Sequence, residues 1–340
     1  SAASSDYPLR DVYKRQLVSS AAGNITVIAG RTLRQSANIS SSNADKKSID
    51  LLAGNAITMD DGTSIITGGG NIRLAAKSTI TLGVVDARTS TGRTVGNVTD
   101  QANWGSVSLV SGASILDASA TANLATHFYA NELRLNAATA IGFADNVVNH
   151  LETEVAKLSA EARSGGMFIS EATAIEITQT AALTVKRVGI DGTTLTDTTD
   201  VAQSDLTTTG SLSALVLQTL NGSITVNGGG DAAGISATGN ILLSASEGES
   251  GDTAGSLVTA NIILNASVTS SAGNISLLAK DSITQNATVG DITASGSSKT
   301  IDLKADDAIT MEAGAVTQTN NGNVRYEATV GNITVGEIIA

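Results

Sequence analysis

The chain has 340 residues, a net charge of −12 and 41% hydrophobic residues, yet only 2% aromatics, no cysteine and one proline, Pro8. Such apolar content argues against disorder, and the acidic balance against a nucleic-acid partner; the missing cysteine removes disulfide scaffolds, thiolate nucleophiles and cysteine zinc sites. No run of 18 apolar residues is available to span a membrane, and with so few aromatics any core must be thin and aliphatic.

Residues 1–20 follow no pattern. They hold Pro8, Tyr7, Tyr13 and a basic cluster of Arg10, Lys14 and Arg15, and the string LRDVYKRQ, Leu9 to Gln16, resembles translated sequencing-adapter sequence. The segment is read as non-native or a linker and set aside. Without a starting Met or a signal peptide, the chain reads as an internal piece of a longer protein.

From residue 21 to 144 a unit of the form apolar-x-apolar-x-small recurs: ITVIA at Ile25, IDLLA at Ile49, IRLAA at Ile72, VSLVS at Val107 and LRLNA at Leu133. It returns at Ile241, Ile275, Ile301 and Val324. Alternation at period two predicts strands, and shorter strands such as Ile57-Thr58-Met59 fall between the long ones. Ile25, Ile49 and Ile72 are 24 and 23 residues apart, so each coil has about 23 residues and roughly three strands. A coil of that size cannot bury its apolar face alone; stacked copies form three parallel sheets around a narrow core. The predicted fold is therefore all-β, a three-sheet β-solenoid. Its inward residues are Ile25, Val27, Ile49, Leu51, Ile57, Met59, Ile72 and Leu74, then Ile241, Leu243, Ile275, Leu277, Ile301, Leu303, Ile309 and Met311. Gly-Asn stands before several long strands, which predicts a turn ladder of Asn24, Asn71, Asn240, Asn274 and Asn323 with stacked amides, glycine supplying positive φ.

The middle breaks period. In residues 145–165, Val147, Val148, Leu151, Val155 and Leu158 sit at helical spacing, Asp145 or Asn146 can cap, and Ser164-Gly165-Gly166 can terminate. One short helical insertion on the solenoid flank is predicted there. Residues 186–210, rich in Thr and Asp, read as a surface excursion, and 228–234 and 246–255 as loops. The solenoid resumes at 166 and continues to 340. Its last part copies its first: Ile301 to Ala328 matches Ile49 to Ala76 at 14 of 28 positions without a gap, offset by 252.

These GNIxLxA coils, the copied unit with its ITM and GN-[IV]-R motifs, and the Asp145 to Ile169 interruption resemble the large haemagglutinin-type (filamentous) exoprotein adhesins of Gram-negative bacteria, over residues 22–340. The resemblance implies a right-handed parallel β-helix. It also implies a secreted or cell-surface protein, associated with the outer membrane and exported by an outer-membrane secretion partner. Multivalent attachment to surface glycans or matrix components is the implied work, without a cofactor.

Two other functions compete: a β-helix polysaccharide lyase or hydrolase, and a ligand-free spacer or matrix scaffold. An enzyme needs clustered carboxylates, but Asp60-Asp61 becomes Glu312-Ala313 in the copy, and acidic pairs before glycine read as turns. His127 and His150, the two histidines, read as surface polar residues without a third ligand or nucleophile at a suggestive spacing. No EF-hand or glycine-rich nonapeptide calcium motif is present. Arg73 and its copy Arg325 are outward-facing and are the candidate glycan-facing residues. No catalytic, cofactor or metal residue is assigned, and the chain is read as a non-enzyme.

Overall fold

The computed structural model describes residues 17–41, 45–93, 98–118, 126–144, 149–248 and 258–340. Over these the chain is a parallel β-helix whose strands stack coil upon coil in long ladders. In the first half the coil has three faces. The first carries the five-residue strands Ile25–Ala29, Ile49–Ala53, Ile72–Ala76 and Val107–Ser111. The second carries Leu33–Gln35, Ile57–Met59, Ile80–Leu82 and Ile115–Asp117. The third carries Val18–Ser19, Ile39–Ser41, Ser64–Thr67 and Val84–Asp86. Val18 already pairs with Ile39, so the solenoid begins within the segment set aside as 1–20; residues 1–16 lie outside the described residues.

Period-two alternation sends one set of side chains into the core. Ile49, Leu51, Ile57, Met59, Ile72 and Leu74 are buried, as are Ile241, Leu243, Ile275, Leu277, Ile301, Leu303, Ile309 and Met311; Ile25 is buried and Val27 partly so in the first full coil. Each inward residue meets its counterpart one coil away, as Ile49 meets Ile25 and Ile72. At corners a hydroxyl replaces the aliphatic and bonds a turning carbonyl: Thr67 Oγ1 donates to Gly70 O at 2.6 Å, and its copy Thr319 to Gly322 O at 2.8 Å.

The Gly-Asn corners work differently from the predicted amide ladder. The asparagine side-chain oxygen accepts a backbone N–H of the next coil: Asn24 from Ser48, Asn71 from Ser106, Asn240 from Asn274 and Asn274 from Thr300, at 2.8–3.0 Å. Asn323 holds the same place before Val324. Amides that bond amides are found instead at Asn227, Asn265 and Asn286. The glycine is required by close approach rather than by φ. A Cβ on Gly70 would meet Lys47 O at 2.0 Å, and one on Gly322 would meet Lys299 O at 1.7 Å. Positive φ belongs to the matched turn glycines Gly62 and Gly314.

The predicted helix at 145–165 is absent: Leu151–Ala162 is a twelve-residue strand, while 145–148 lie outside the described residues. Leu151, Thr153 and Val155 point inward on the third face, then Leu158, Ala160 and Ala162 on the first. Two period-two runs are thus joined by a three-residue step at the corner. Because the inward residue at 153 is polar, the visible apolar residues fall at 151, 155 and 158 and imitate a helix. The preceding strand, Phe128–Ala137, makes the same step from Ala130 to Leu133 in register below it.

Above this point the faces exchange. Gly166–Glu171 pairs with the second face through Ala140 and Ile141 and with the third through Leu151, Glu152 and Thr153, fusing two short faces into one long one. On it stack Leu215–Thr219, Ile241–Ala245, Ile275–Ala279, Ile301–Ala305 and Val324–Ala328. The former long face splits, continuing as Ile175–Ile177 beside Lys157 and Leu158 and as Leu206–Thr208 beside Ala160 to Ala162. The copied units at Ile49 and Ile301 therefore lie on different sides of the rod.

Leu303 tests the inward register. Leu303→Asp buries an unpaired charge between Leu277 and Tyr326 and should cost at least about 3 kcal/mol. Chemical denaturation measures this, and an unchanged midpoint would mean that the residue faces solvent.

Candidate functional site

Two polar assemblies stand out, and both flank the exchange of faces. The first is an arm. Leu183–Val188 and Leu195–Asp200, the first beginning three residues before the predicted excursion of 186–210, form an antiparallel hairpin that lies back over the outer side of the first face. Register places Thr26, Asp50, Arg73, Ser108, Arg134 and Ser159 in one outward file there. The arm engages the whole file. Val188 N–H donates to Thr26 Oγ1, Arg187 Nε to Asp50 at 2.7 Å, and Arg73 Nε to Asp200 at 3.0 Å. Ser108 Oγ also donates to Asp200, Arg134 donates to Val201 O, and Ser159 bonds Thr180.

This arrangement separates the two predicted glycan-facing arginines by exposure. Arg73 has 12% of its side chain exposed, held between Asp50 and Asp200 beneath the arm, and is withdrawn from any large ligand. Arg325 keeps 56% exposure and pairs with Asp302 at 2.7 Å and Glu327 at 2.6 Å. The same inter-coil Asp–Arg pair therefore occurs once buried and once in solvent.

The second assembly sits at the corner between second and third faces. Asp117 ends one strand, His127 precedes the strand Phe128–Ala137, and Glu152 lies one coil further on, in Leu151–Ala162. His127 is zipped in by backbone, its N–H donating to Glu152 O at 2.9 Å and its carbonyl accepting from Val85 at 2.7 Å. The ring Nε2 is 2.7 Å from Asp117 Oδ1; Nδ1 is 2.9 Å from Glu152 Oε2, a close charge contact without hydrogen-bond alignment. Burial alone would push the imidazole down, but Asp117 and Glu152 outweigh it and lift it to about 9. Burial holds the Glu152 carboxyl above its ordinary range against the pull of His127. These three are the one group among the described residues whose nitrogen and oxygen atoms converge as metal ligands do.

Both histidines were expected at the surface, and both are buried. His150 packs tilted against Phe168 and contacts Ser170 Oγ at 3.1 Å. The polar corner continues inward to Glu171, fully buried. Its burial, then the nearness of Glu154, holds its carboxyl well above the ordinary 4.5, against hydrogen bonds from Thr153 Oγ1 and the N–H groups of Val155 and Thr173. Outside it, Arg88 stacks 3.6 Å over the Tyr129 ring and, with Arg93, pairs Asp86.

Sequence reasoning missed Asp117 and Glu152 because the latter was assigned to a helix. Aligning LSAEA at Leu158 with LRLNA at Leu133 sets Phe128 beside Thr153, and hence His127 beside Glu152. The acidic pair weighed as catalytic lies at a turn: Asp60 pairs Arg34 and its carbonyl closes the Thr63 turn. No helix among the described residues is long and apolar enough to cross a membrane. No protein-family model, curated protein or solved structure matches the chain.

The duplicated ion pair gives an internal control. Asp50→Ala strands Arg187 and half of the Arg73 pairing in a buried setting and should cost about 3–5 kcal/mol, whereas Asp302→Ala removes an exposed pair and should cost under about 1 kcal/mol. Hydrogen exchange in the former should also quicken across Leu183–Asp200; equal effects from the two substitutions would mean that the arm does not cover the file in solution.

Glu171 predicts a pH dependence. Its folded value lies above its unfolded one, so its contribution is fully present below about 4.5 and is lost as pH rises through the raised folded value. Between about pH 5 and 8, the denaturation midpoint of the unaltered chain should fall relative to that of Glu171→Gln. Parallel curves would show that the carboxyl is already ionised at pH 5.

Proposed function

We propose that this chain is a rigid repeat segment of a large haemagglutinin-type exoprotein, secreted to or displayed at the surface of a Gram-negative cell through an outer-membrane secretion partner. Its work is mechanical: it holds weak contacts to surface glycans or matrix components at fixed spacing, so that repetition turns them into avidity. The observation that carries this reading is the outer surface of the second half. There the outward files are short, mostly uncharged and in register: Thr225, Ile263, Thr284, Thr310 and Thr334 on one face, and Thr207, Ser236, Thr269 and Thr293 on the next. Parallel stacking spaces such residues about 4.8 Å apart along the axis.

The same surface weighs against a polysaccharide lyase or hydrolase, which needs carboxylates converging on an open groove. The carboxylates that do converge, at Asp117 and Glu152, are 8% and 2% exposed. Arg325 stays a candidate contact on the exposed long face, and Arg73 does not.

The test is a panel of neutral and acidic polysaccharides incubated with the full chain, scoring retention together with new reducing or unsaturated ends. Retention without cleavage is expected, weakened about 2- to 10-fold for acidic polymers by Arg325→Ala. Turnover abolished by Glu152→Gln would replace this reading with the enzyme, and neither retention nor turnover would leave a ligand-free spacer.

A further inference from the structure

We propose that Asp117, His127 and Glu152 form a buried three-ligand site for a divalent transition metal of the zinc class, which staples two successive coils at the corner between the second and third faces. The first argument is geometric. One ligand atom from each residue lies within 4.8 Å of the other two. An imidazolium bonding two carboxylates along its two N–H directions would hold them on opposite edges of the ring. Here Asp117 Oδ1 faces Nε2 and Glu152 Oε2 faces Nδ1, but the second contact is not aligned with an N–H, and a ligand oxygen of each carboxylate still lies within 4.8 Å of the other.

The second argument is an unsatisfied group. Glu152 is 2% exposed, yet beyond the unaligned 2.9 Å contact of Oε2 with His127 Nδ1 its side-chain oxygens have no hydrogen-bond partner among the described residues. Its outward neighbour in the ladder is Ser170, whose hydroxyl is taken up by His150 and Gln218. A buried carboxylate without donors is costly unless it is paired or coordinates a metal. The third argument is charge. Two carboxylates and a neutral imidazole balance a divalent ion.

The ligand types select the ion. One imidazole nitrogen and two carboxylate oxygens suit zinc, manganese or iron(II), and calcium prefers six to eight oxygens. The His127 backbone is bonded to both neighbouring coils, so the ring is set in place before any ion arrives. Asp117 and His127 end one coil's second strand and begin its third, and Glu152 belongs to the next coil. An ion there links two successive coils at an acidic corner, and metal affinity becomes folding free energy.

The experiment uses the full chain, free of any affinity tag, stripped with chelator and titrated with zinc alone by calorimetry and by thermal denaturation. One ion per chain with a Kd below about 1 μM, and a rise in Tm reversed by chelator, are expected. Cobalt(II) should give the absorption of a four- or five-coordinate site. Glu152→Gln keeps the shape and relieves the like-charge contact, so it should fold without metal and lose at least about 100-fold in zinc affinity; His150→Ala should keep the site. Absence of stoichiometric binding, binding that survives Glu152→Gln, or an octahedral cobalt spectrum that His127→Ala leaves unchanged would each overturn the proposal. None of these outcomes depends on the polysaccharide result.

Discussion

A coil of this chain has no interior of its own. Its inward isoleucines and leucines complete their burial against the same positions of the coils above and below, and most of its strand donors and acceptors are met by the ladder. Everything else follows from keeping that stack in register. Corners are narrow, so the residue before Asn71, Asn240, Asn274 and Asn323 must be glycine, because the backbone of the coil beneath occupies the space a Cβ would fill. Inward corner slots are too tight and too close to turning carbonyls for a large aliphatic, so Thr67, Thr219 and Thr319 fill them and donate to those carbonyls. Proline would delete a ladder bond anywhere in the stack, and beyond Pro8 there is none.

The exchange of faces shows how the stack accommodates a change of phase. One five-residue strand and two of three or four residues follow one another around the coil, and a fused strand such as Leu151–Ala162 can bridge a corner with one three-residue step. Once Gly166–Glu171 has grown across two short faces, the long repeat unit continues on a new side without breaking a ladder. The arm then returns over the old long face and covers its charged file. An exposed Asp–Arg rung gains little from pairing in water. Beneath the arm the same rung is bonded to Arg187 and Asp200 and holds coils that are distant in sequence.

Much of the fold was legible because its signals are local and repeated. The strands at Ile49, Ile57 and Ile72 announce themselves by alternation, and the 252-residue offset marks them as coils. The reading failed at Leu151–Ala162, where a polar inward Thr153 and a corner step produced the spacing of a helix. It failed again for Arg73, whose outward direction was right but whose cover comes from residues 183–200, more than a hundred positions away. No local pattern encodes that contact. His127 and His150 were taken for surface groups because their burial depends on the register of two irregular strands, which alternation alone does not fix.

The polar chemistry gathers where the repetition lapses, and there is a physical reason for this. In a regular coil most inward slots have an aliphatic above and below them, and a charge placed there has no partner. At the exchange, neighbouring coils no longer present equal slots, so the inward Glu171 meets backbone donors instead of a file of leucines, and at the nearby corner Glu152 and His127 meet each other. Such groups cost stability unless they are fully satisfied. A repeat protein has many other coils over which to spread that cost, because its stability sums over neighbouring interfaces. A buried acidic corner that a single small domain would hardly carry is therefore sustainable in the middle of a rod, and it is at this seam, rather than along the uniform faces, that a residue-specific role has the structural means to exist.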